Sequence, residues 1–246
     1  MNLATGIYLF SGSLFIISPN LSAQGKPNDS VACLSRYKAL SVAPELFSVK
    51  TYVIPGTLTG YCFVALGSGP LKDFDEHLKT IIWDDNPHHT VKIDNYLRFA
   101  PAFSVYVLNM SGIRGEHNLI DRTAVYVLSN LLLNVSVSSL KDISHKQRPD
   151  GSDHLSFPSG HTAEAFVSAE FMRLEYRHVS VWYGVAGYLI AGAVGYLRMY
   201  NNKHYFSEVV TGAGLGIAST DLSYWLYPKI RRLFCRQRKA GNLISH

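Results

Sequence analysis

The chain has 246 residues, of which 47% are hydrophobic and only 17% charged, with a formal net charge of +5 at pH 7. Soluble globular proteins usually carry more charge, so the composition favours a membrane or membrane-edge protein. Six of the positive charges lie between Lys229 and Lys239. This cluster is typical of a cytoplasmic flank, and because no recognition motif accompanies it we expect no nucleic-acid partner.

The first 50 residues differ from the rest of the chain. Residues 1–23 have an apolar centre and end in the small-residue pattern Leu21-Ser22-Ala23, which predicts an export signal peptide. An uncleaved anchor is the alternative. Residues 24–50 are expected to be a polar leader, residues 51–232 one helical domain, and residues 233–246 a basic tail. The cysteines Cys33, Cys62 and Cys235 are too widely spaced for a zinc site, although a Cys33–Cys62 bridge remains open.

Apolar runs separated by short polar breaks predict an all-α fold, a bundle of about six core helices. The runs cover residues 52–68, 98–112, 123–140, 157–174, 181–197 and 206–227. Those at 123–140 and 181–197 are long enough, or nearly so, to cross a bilayer, and we expect the bundle to be membrane-embedded. The run at 157–174 contains His161, Glu164 and Glu170, so one of its faces should line a polar site or protein. A soluble or peripheral helical bundle is the alternative.

Three polar clusters interrupt this pattern, in the order Lys141 with Arg148-Pro149, then Pro158-Ser159-Gly160-His161, then Arg198 with His204 and Glu208. Lys141 and Arg148 are seven residues apart, close to two helical turns, so both could face one side. Pro149 disfavours the helical conformation at the preceding residue, so we expect a helix to end at Arg148.

The second and third clusters supply anion donors and a candidate nucleophile. Gly160 and Ser159 open a predicted helix, where free backbone N–H groups bind anions. His204 and Glu208 are four residues apart and should share one helical face. A carboxylate that accepts from one ring nitrogen leaves the other free as a nucleophile. The set suits a phosphate group, and without a metal-ligand cluster we expect no metal and no cofactor.

The three clusters together resemble the type-2 phosphatidic acid phosphatase / vanadium haloperoxidase superfamily. Its signature is KxxxxxxRP, then PSGH, then SRxxxxxHxxxD. The resemblance is detailed over residues 141–208 and extends to the helical layout of about 95–230. The stretches "FPSGHTAEAF" and "RMYNNKHYFSEVVTGAGLG" resemble members with a signal peptide from Gram-negative envelopes. Two positions depart from the signature, with Leu197 in place of serine and Glu208 in place of aspartate.

The resemblance implies a role for each matched residue. His204 would attack phosphorus to form a phosphohistidine, His161 would protonate the leaving oxygen and then activate water, and Glu208 would orient His204. The phosphoryl oxygens would be held by Lys141, Arg148, Ser159, Gly160 and Arg198. The remaining polar residues of the 141–157 loop match no family position, and we expect them to be solvated. They are His145, Lys146, Asp150, Asp153 and His154. Glu164 and Glu170 are interpreted as polar-face residues, and His88 and His89 as a surface turn.

The expected function is therefore that of a metal-independent phosphatase acting on a lipid phosphomonoester or pyrophosphate, such as phosphatidate, a polyprenyl pyrophosphate or a lipid A phosphate. We expect the enzyme in the bacterial envelope membrane with its site facing the periplasm, and no obligate protein partner. The alternatives are a soluble periplasmic nonspecific acid phosphatase, a vanadate-dependent haloperoxidase, and a non-catalytic phospholipid binder.

Overall fold

The structure is a computed structural model that describes residues 67–86 and 88–244, with a few further positions between 53 and 64. Side chains are described as far as residue 233. The predicted signal peptide (1–23) and polar leader (24–50) lie outside the described residues, as do Cys33 and Cys62. The boundaries of the predicted domain and tail stay predictions.

From residue 67 onward the described chain is helical and contains no strand, which confirms the all-α prediction. The helices are α1 (Gly69–Lys79), continued by a π-helical turn (Thr80–Asp84), then α2 (Asp94–Leu97), α3 (Ala100–Met110), α4 (Leu119–Ser144), α5 (Gly160–Tyr176), α6 (Val181–Tyr200) and α7 (Phe206–Ile244).

Helices α3 to α7 correspond to the predicted apolar runs from 98–112 to 206–227, with shifted ends. Helix α7 extends beyond its run and continues past Pro228 to Ile244, so the basic residues after 232 prolong a helix. Within the described residues, α4 alone is long and apolar enough to cross a bilayer by length and composition. The segment 181–197, which the sequence also indicated as a candidate span, does not meet that criterion.

Helix α5 is the centre of the bundle. It packs most extensively against α6 and α7, and also against α3 and α4. Most of its residues are buried, and small side chains such as Ala163, Ala165 and Ala169 are fully inaccessible to solvent. The clusters of buried apolar residues that line α5 also include Val125 and Leu133 of α4 and Val194 of α6.

Short connections make α5, α6 and α7 antiparallel neighbours, since only residues 177–180 and 201–205 separate them. The start of α5, the end of α6 and the start of α7 therefore lie at the same end of the bundle. The loop 145–159 links the end of α4 to the start of α5 and belongs to that end as well. This topology brings the three polar clusters of the sequence together.

Glu170 is buried, which corrects its interpretation as a residue on a polar helix face. It is fully inaccessible to solvent and forms an ion pair with Arg173 on the same helix. The hydroxyl of Tyr188 on α6 also donates a hydrogen bond to it. Glu164 is also paired, because Arg98 lies 3.0 Å from its carboxylate. These partners explain how an apolar run tolerates two carboxylates.

At the start of α5, glycine permits a close approach of α7. A Cβ atom on Gly212 would lie 2.6 Å from the carbonyl oxygen of Ser159. A Cβ atom on Gly216 would meet the carbonyl oxygen of Ala163, one turn further along α5. Both neighbours are backbone atoms, so neither can move aside by a rotamer change. The two glycines therefore set the spacing between α5 and α7.

We expect Gly212→Ala to destabilise the protein by about 1–3 kcal/mol, because the added methyl group must force the helices apart. Gly192→Ala is the matched control, since Gly192 lies in α6 and a Cβ atom there meets nothing within 4 Å. This control should be neutral or stabilising by about 0.5–1 kcal/mol. Thermal unfolding of the two purified variants gives the comparison, and an unchanged melting temperature for Gly212→Ala would contradict the contact.

Candidate functional site

His204 and Glu208 form a buried pair at this end of the bundle. His204 lies in the loop 201–205 and Glu208 in the first turn of α7. The Nδ1 atom of His204 is 2.9 Å from Oε2 of Glu208, and the two residues are 3% and 0% exposed. An Nδ1–H that donates to the carboxylate leaves the lone pair on Nε2. The two side chains are paired, but the predicted shared helical face is wrong, because His204 lies in the loop before the start of α7.

The carboxylate of Glu208 has further donors around it. The hydroxyl of Ser156 lies 2.5 Å from Oε2, and the backbone N–H of Tyr205 donates to the same oxygen at 3.3 Å. The ammonium of Lys146 lies 3.1 Å from Oε1. Lys146 was expected to be a solvated loop residue, and that prediction is wrong, because its side chain is 26% exposed and forms an ion pair with a buried carboxylate.

Lys141 and Arg148 come from different local structures. Lys141 lies in the last turn of α4, which ends at Ser144, and His145 follows in a left-handed conformation with φ 42°. The expected helix end at Arg148 is therefore wrong, because the left-handed residue turns the chain out of the helix four positions earlier. Lys141 nevertheless interacts electrostatically with both Arg148 and Arg198. The loop 145–159 therefore places Arg148 close to Lys141.

Acidic residues hold the loop 145–159 in place. The Nε of Arg148 donates to Asp153 at 2.8 Å, and the backbone N–H of Arg148 donates to the carbonyl oxygen of Asp153 at 3.0 Å. Asp150 forms an ion pair with Lys203 in the loop 201–205. Burial raises the pKa of Asp150, but the hydrogen bonds from Lys203 and Ser152 outweigh it and lower the pKa to about 2. Asp150 and Asp153 were also expected to be solvated; the side chain of Asp153 is 42% exposed, and both carboxylates are in addition paired with cations.

Arg198 lies at the end of α6 and is 7% exposed. Its Nη1 donates to Oδ2 of Asp94 at 2.7 Å, and Asp94 is itself buried. The Nε of Arg198 is buried and has no hydrogen-bond partner among the described residues. One side of the guanidinium is therefore fixed while a donor remains for an oxyanion.

His161 lies in the first turn of α5, where its Nε2 is 2.8 Å from Oδ1 of Asn95. Burial lowers the pKa of His161 to about 3, and the positive charges of Arg198 and Arg98 add to this effect. His161 is therefore neutral near pH 7 in the free protein. Asp94 and Asn95 belong to the short helix α2, which thus contacts both Arg198 and His161. Sequence reasoning missed both, since neither belongs to a motif.

Ser159 and Gly160 form the N-terminus of α5, after a cis Phe157–Pro158 peptide bond. Ser159 occupies the N-cap position, but its side chain makes no capping hydrogen bond and instead lies 2.8 Å from the hydroxyl of Thr162. The first backbone N–H groups of α5 are therefore not capped by a side chain, and such groups favour a bound anion. The backbone N–H of Ser159 donates to the carbonyl oxygen of Glu208 at 3.1 Å, which joins the two helix starts.

Electrostatic coupling shows that these groups converge. Burial lowers the pKa of His204; the hydrogen bond to Glu208 opposes this, and the charges of Arg198 and Arg148 lower the pKa further. The pKa of His161 likewise responds to Arg198 and to His204. Arg148, Arg198 and His161 thus each lie within electrostatic range of His204. The arrangement can bind an oxyanion between its cations and present an imidazole nitrogen to it.

Among the residues that the structure describes, no group of three or more His, Cys, Asp or Glu side chains is arranged to hold a metal ion. His88, the first histidine of the "DDNPHHT" stretch, lies with its Nε2 2.7 Å from the carbonyl oxygen of Tyr200 and stacks on the ring of that residue. It fixes the chain at the end of α6.

Comparison with known proteins confirms the family resemblance. Residues 122–232 match the model of the PAP2 superfamily. A lipid A 1-phosphatase from Porphyromonas gingivalis is 34% identical over 159 residues, which is 64% of this chain and 36% of that protein. The match thus spans about a third of the length of this curated relative.

Two solved structures are similar at lower identity. The crystal structure of Aquifex aeolicus LpxE has 24% identity and a TM-score of 0.45, and the match covers 60% of this chain and 92% of that one. A transmembrane PAP2-type phosphatidylglycerolphosphate phosphatase from Bacillus subtilis has 19% identity and a TM-score of 0.38, with 82% and 96% covered. With TM-scores below 0.5, neither likeness carries an argument about the site.

We expect an oxyanion to raise the pKa of His161, because it neutralises the charges of Arg198 and Arg98 that lower that pKa to about 3 in the free protein. The measurement is an NMR titration of ¹³C-labelled histidine with and without inorganic phosphate or vanadate. His178 is the internal control, since it lies beyond the other end of α5, roughly 25 Å away along the helix axis. An anion that shifts both histidines equally, or neither, would contradict the site.

Proposed function

We propose that the chain, whose residues 122–232 match the model of the PAP2 superfamily, is a metal-independent phosphatase that hydrolyses a phosphomonoester or pyrophosphate of a lipid through a phosphohistidine intermediate. The observation that carries the proposal is the buried His204–Glu208 pair within electrostatic range of Arg148 and Arg198. A neutral imidazole with a fixed tautomer, next to cations that attract a phosphate dianion, is suited to nucleophilic attack on phosphorus.

In the first step, the lone pair on Nε2 of His204 attacks phosphorus and the bond from phosphorus to the leaving oxygen breaks. The leaving oxygen takes a proton from His161 and departs as an alcohol or as a phosphate group. Glu208 stabilises the positive charge that develops on the ring of His204, because its Oε2 accepts the Nδ1–H at 2.9 Å. The product of this step is a phosphohistidine.

In the second step, His161 takes a proton from water, the water oxygen attacks phosphorus, and the bond from phosphorus to Nε2 breaks. Inorganic phosphate leaves, with His204 neutral and His161 protonated again. The negative charge on the phosphoryl oxygens is stabilised throughout by the cations and by the donors at the start of α5. These groups are Lys141, Arg148, Arg198, the hydroxyl of Ser159 and the N–H of Gly160.

The lipid nature of the substrate is supported by two features. The relative from Porphyromonas gingivalis is a lipid A 1-phosphatase. Helix α4, which contributes Lys141 from its last turn, is apolar and long enough to cross a bilayer. We therefore place the enzyme in a membrane of the bacterial envelope, with the phosphate site near the bilayer surface and facing the periplasm. Phosphatidate, a polyprenyl pyrophosphate and the phosphates of lipid A are the candidate substrates.

Phosphate release from the detergent-purified protein tests this proposal. We expect faster release from phosphatidate, a polyprenyl pyrophosphate or lipid A than from p-nitrophenyl phosphate, inhibition by vanadate, and full activity in EDTA. Equal rates on soluble phosphates, with the protein extracted from membranes by carbonate, would indicate a nonspecific acid phosphatase instead. Loss of activity in EDTA that a divalent cation restores would contradict the metal-free mechanism. Vanadate-dependent halide oxidation without phosphate release would indicate a haloperoxidase.

Replacement of the nucleophile gives the sharper test. His204→Ala should lower kcat by at least about 10³-fold, because no other group can form the covalent intermediate. His178→Ala is the matched control, since His178 is exposed and paired with Glu116 far from the site. Its kcat should equal that of the wild type. A His204→Ala variant that retains wild-type turnover would refute the phosphohistidine, whereas intact lipid-phosphate binding without turnover in the wild type would indicate a binding protein.

A further inference from the structure

Glu208 replaces the aspartate of the family signature and is completely buried, yet it has to remain ionised to orient His204. Burial of an unpaired carboxylate is costly and favours the protonated form. Burial does raise the pKa of Glu208, but the hydrogen bond with His204 and the charges of His204 and Lys146 bring the net pKa below its usual value. Lys146 is the permanent cation among these partners, since His204 is neutral before it reacts.

The geometry shows which oxygen Lys146 serves. Oε2 of Glu208 is occupied by His204 and Ser156, at 2.9 and 2.5 Å. Oε1 accepts no aligned hydrogen bond within the described residues, and its partner is the ammonium of Lys146 at 3.1 Å. The two oxygens of the carboxylate therefore have separate tasks, one toward the histidine and one toward the lysine.

Lys146 is itself fixed in position. Its ammonium lies 3.9 Å from Asp75 on α1 and 4.5 Å from the ring centroid of Tyr205. Asp75 is 4% exposed and accepts from the backbone N–H of Ser207 at 2.9 Å and from the hydroxyl of Ser207. A chain of alternating charge thus leads from Glu208 through Lys146 to Asp75. Asp75 lies outside the region matched by the family model, which starts at residue 122.

We propose that Lys146 is a positioning residue of the phosphoryl-transfer site, whose ammonium keeps Glu208 ionised and aims its carboxylate at Nδ1 of His204. The proposal rests on the function proposed above. It explains how glutamate can replace the shorter aspartate, because the ion pair between Lys146 and Oε1 holds the longer side chain of Glu208 in place. The ammonium of Lys146 contacts Glu208, Asp75 and the ring of Tyr205, so its effect on His204 passes through Glu208.

The expected direction of its effect follows from the charges that surround the pair. The groups facing His204 and Glu208 are Asp75 from α1, Lys146, Arg148 and Ser156 from the loop 145–159, and Arg198 from α6. Without the charge at Lys146, burial favours the protonated form of Glu208. The pKa of His204 should then fall, because the hydrogen bond and the negative charge of Glu208 are the interactions that raise it.

Lys146→Met, which keeps the length of the side chain and removes its charge, tests the proposal. We expect the pKa of His204, followed by NMR of ¹³C-labelled histidine, to fall by roughly half a pH unit or more. Lys146→Arg should restore the wild-type value because it keeps the charge. Lys72→Met, which removes an exposed lysine from α1, is the matched control and should leave His204 unchanged, since an exposed charge is screened.

The NMR measurement does not require turnover, so its outcome is independent of whether the chain is a phosphatase. With an active enzyme, the acidic limb of the kcat/KM profile should move to higher pH in Lys146→Met, because Glu208 then takes up a proton at higher pH and no longer orients His204, and it should return in Lys146→Arg. A Lys146→Met variant with a lower melting temperature but an unchanged pKa of His204 would show a merely structural lysine and overturn the proposal.

A double-mutant cycle with Glu208→Asp supplies the second arm. The shorter carboxylate should lose the contact with Lys146, so Lys146→Met should lower kcat/KM less in the Glu208→Asp background than in the wild type. Equal fold-losses in the two backgrounds would mean that Lys146 and Glu208 act independently, and this outcome would overturn the proposal.

Discussion

The site depends on one physical constraint, the burial of an ionised carboxylate at the end of a helical bundle. Glu208 is fully inaccessible to solvent, and it is stable as a carboxylate only because donors and a cation surround it. These partners come from two separate segments: His204 from the loop before α7, and Ser156 and Lys146 from the loop before α5. The fold at this end can therefore be understood as the scaffold that brings those segments together.

The bundle meets that requirement by close helix packing. Glycine at position 212 lets the start of α5 approach α7 until backbone atoms are in contact, and the N–H of Ser159 then bonds to the carbonyl oxygen of Glu208. The candidate anion donors at the start of α5 are thus joined through the backbone to Glu208, the partner of the candidate nucleophile. Because such contacts involve no flexible side chains, the relative position of the two groups is fixed before any ligand binds.

The sequence predicted helices α3 to α7 and the three polar clusters, since apolar runs and fixed spacings are local properties, whereas α1 and α2 fall in no predicted run and the run 52–68 lies largely outside the described residues. The four-residue spacing also indicated the His204–Glu208 pair, although the two residues do not share a helical face, because His204 precedes α7. The roles of Lys146, Asp75, Asp94 and Asn95 could not be predicted, because each acts on a partner far along the chain and no spacing rule links them. The helix end at Ser144 was missed for a related reason. Pro149 restricts only the residue before it, whereas the left-handed turn at His145 carries no such signal.

The same cations that suit the site to an oxyanion impose a condition on its acid–base group. Arg198 and Arg98, together with burial, bring the pKa of His161 to about 3, so the histidine has no proton to donate while the site is empty. A bound dianion would compensate those charges and restore its basicity. Asp94 and Asp153 already neutralise one side of Arg198 and of Arg148, which limits the repulsion between the cations without removing their free donors. His161 can therefore carry a transferable proton only after the anion has bound. The charge arrangement thus sets the order of events, with binding before proton transfer.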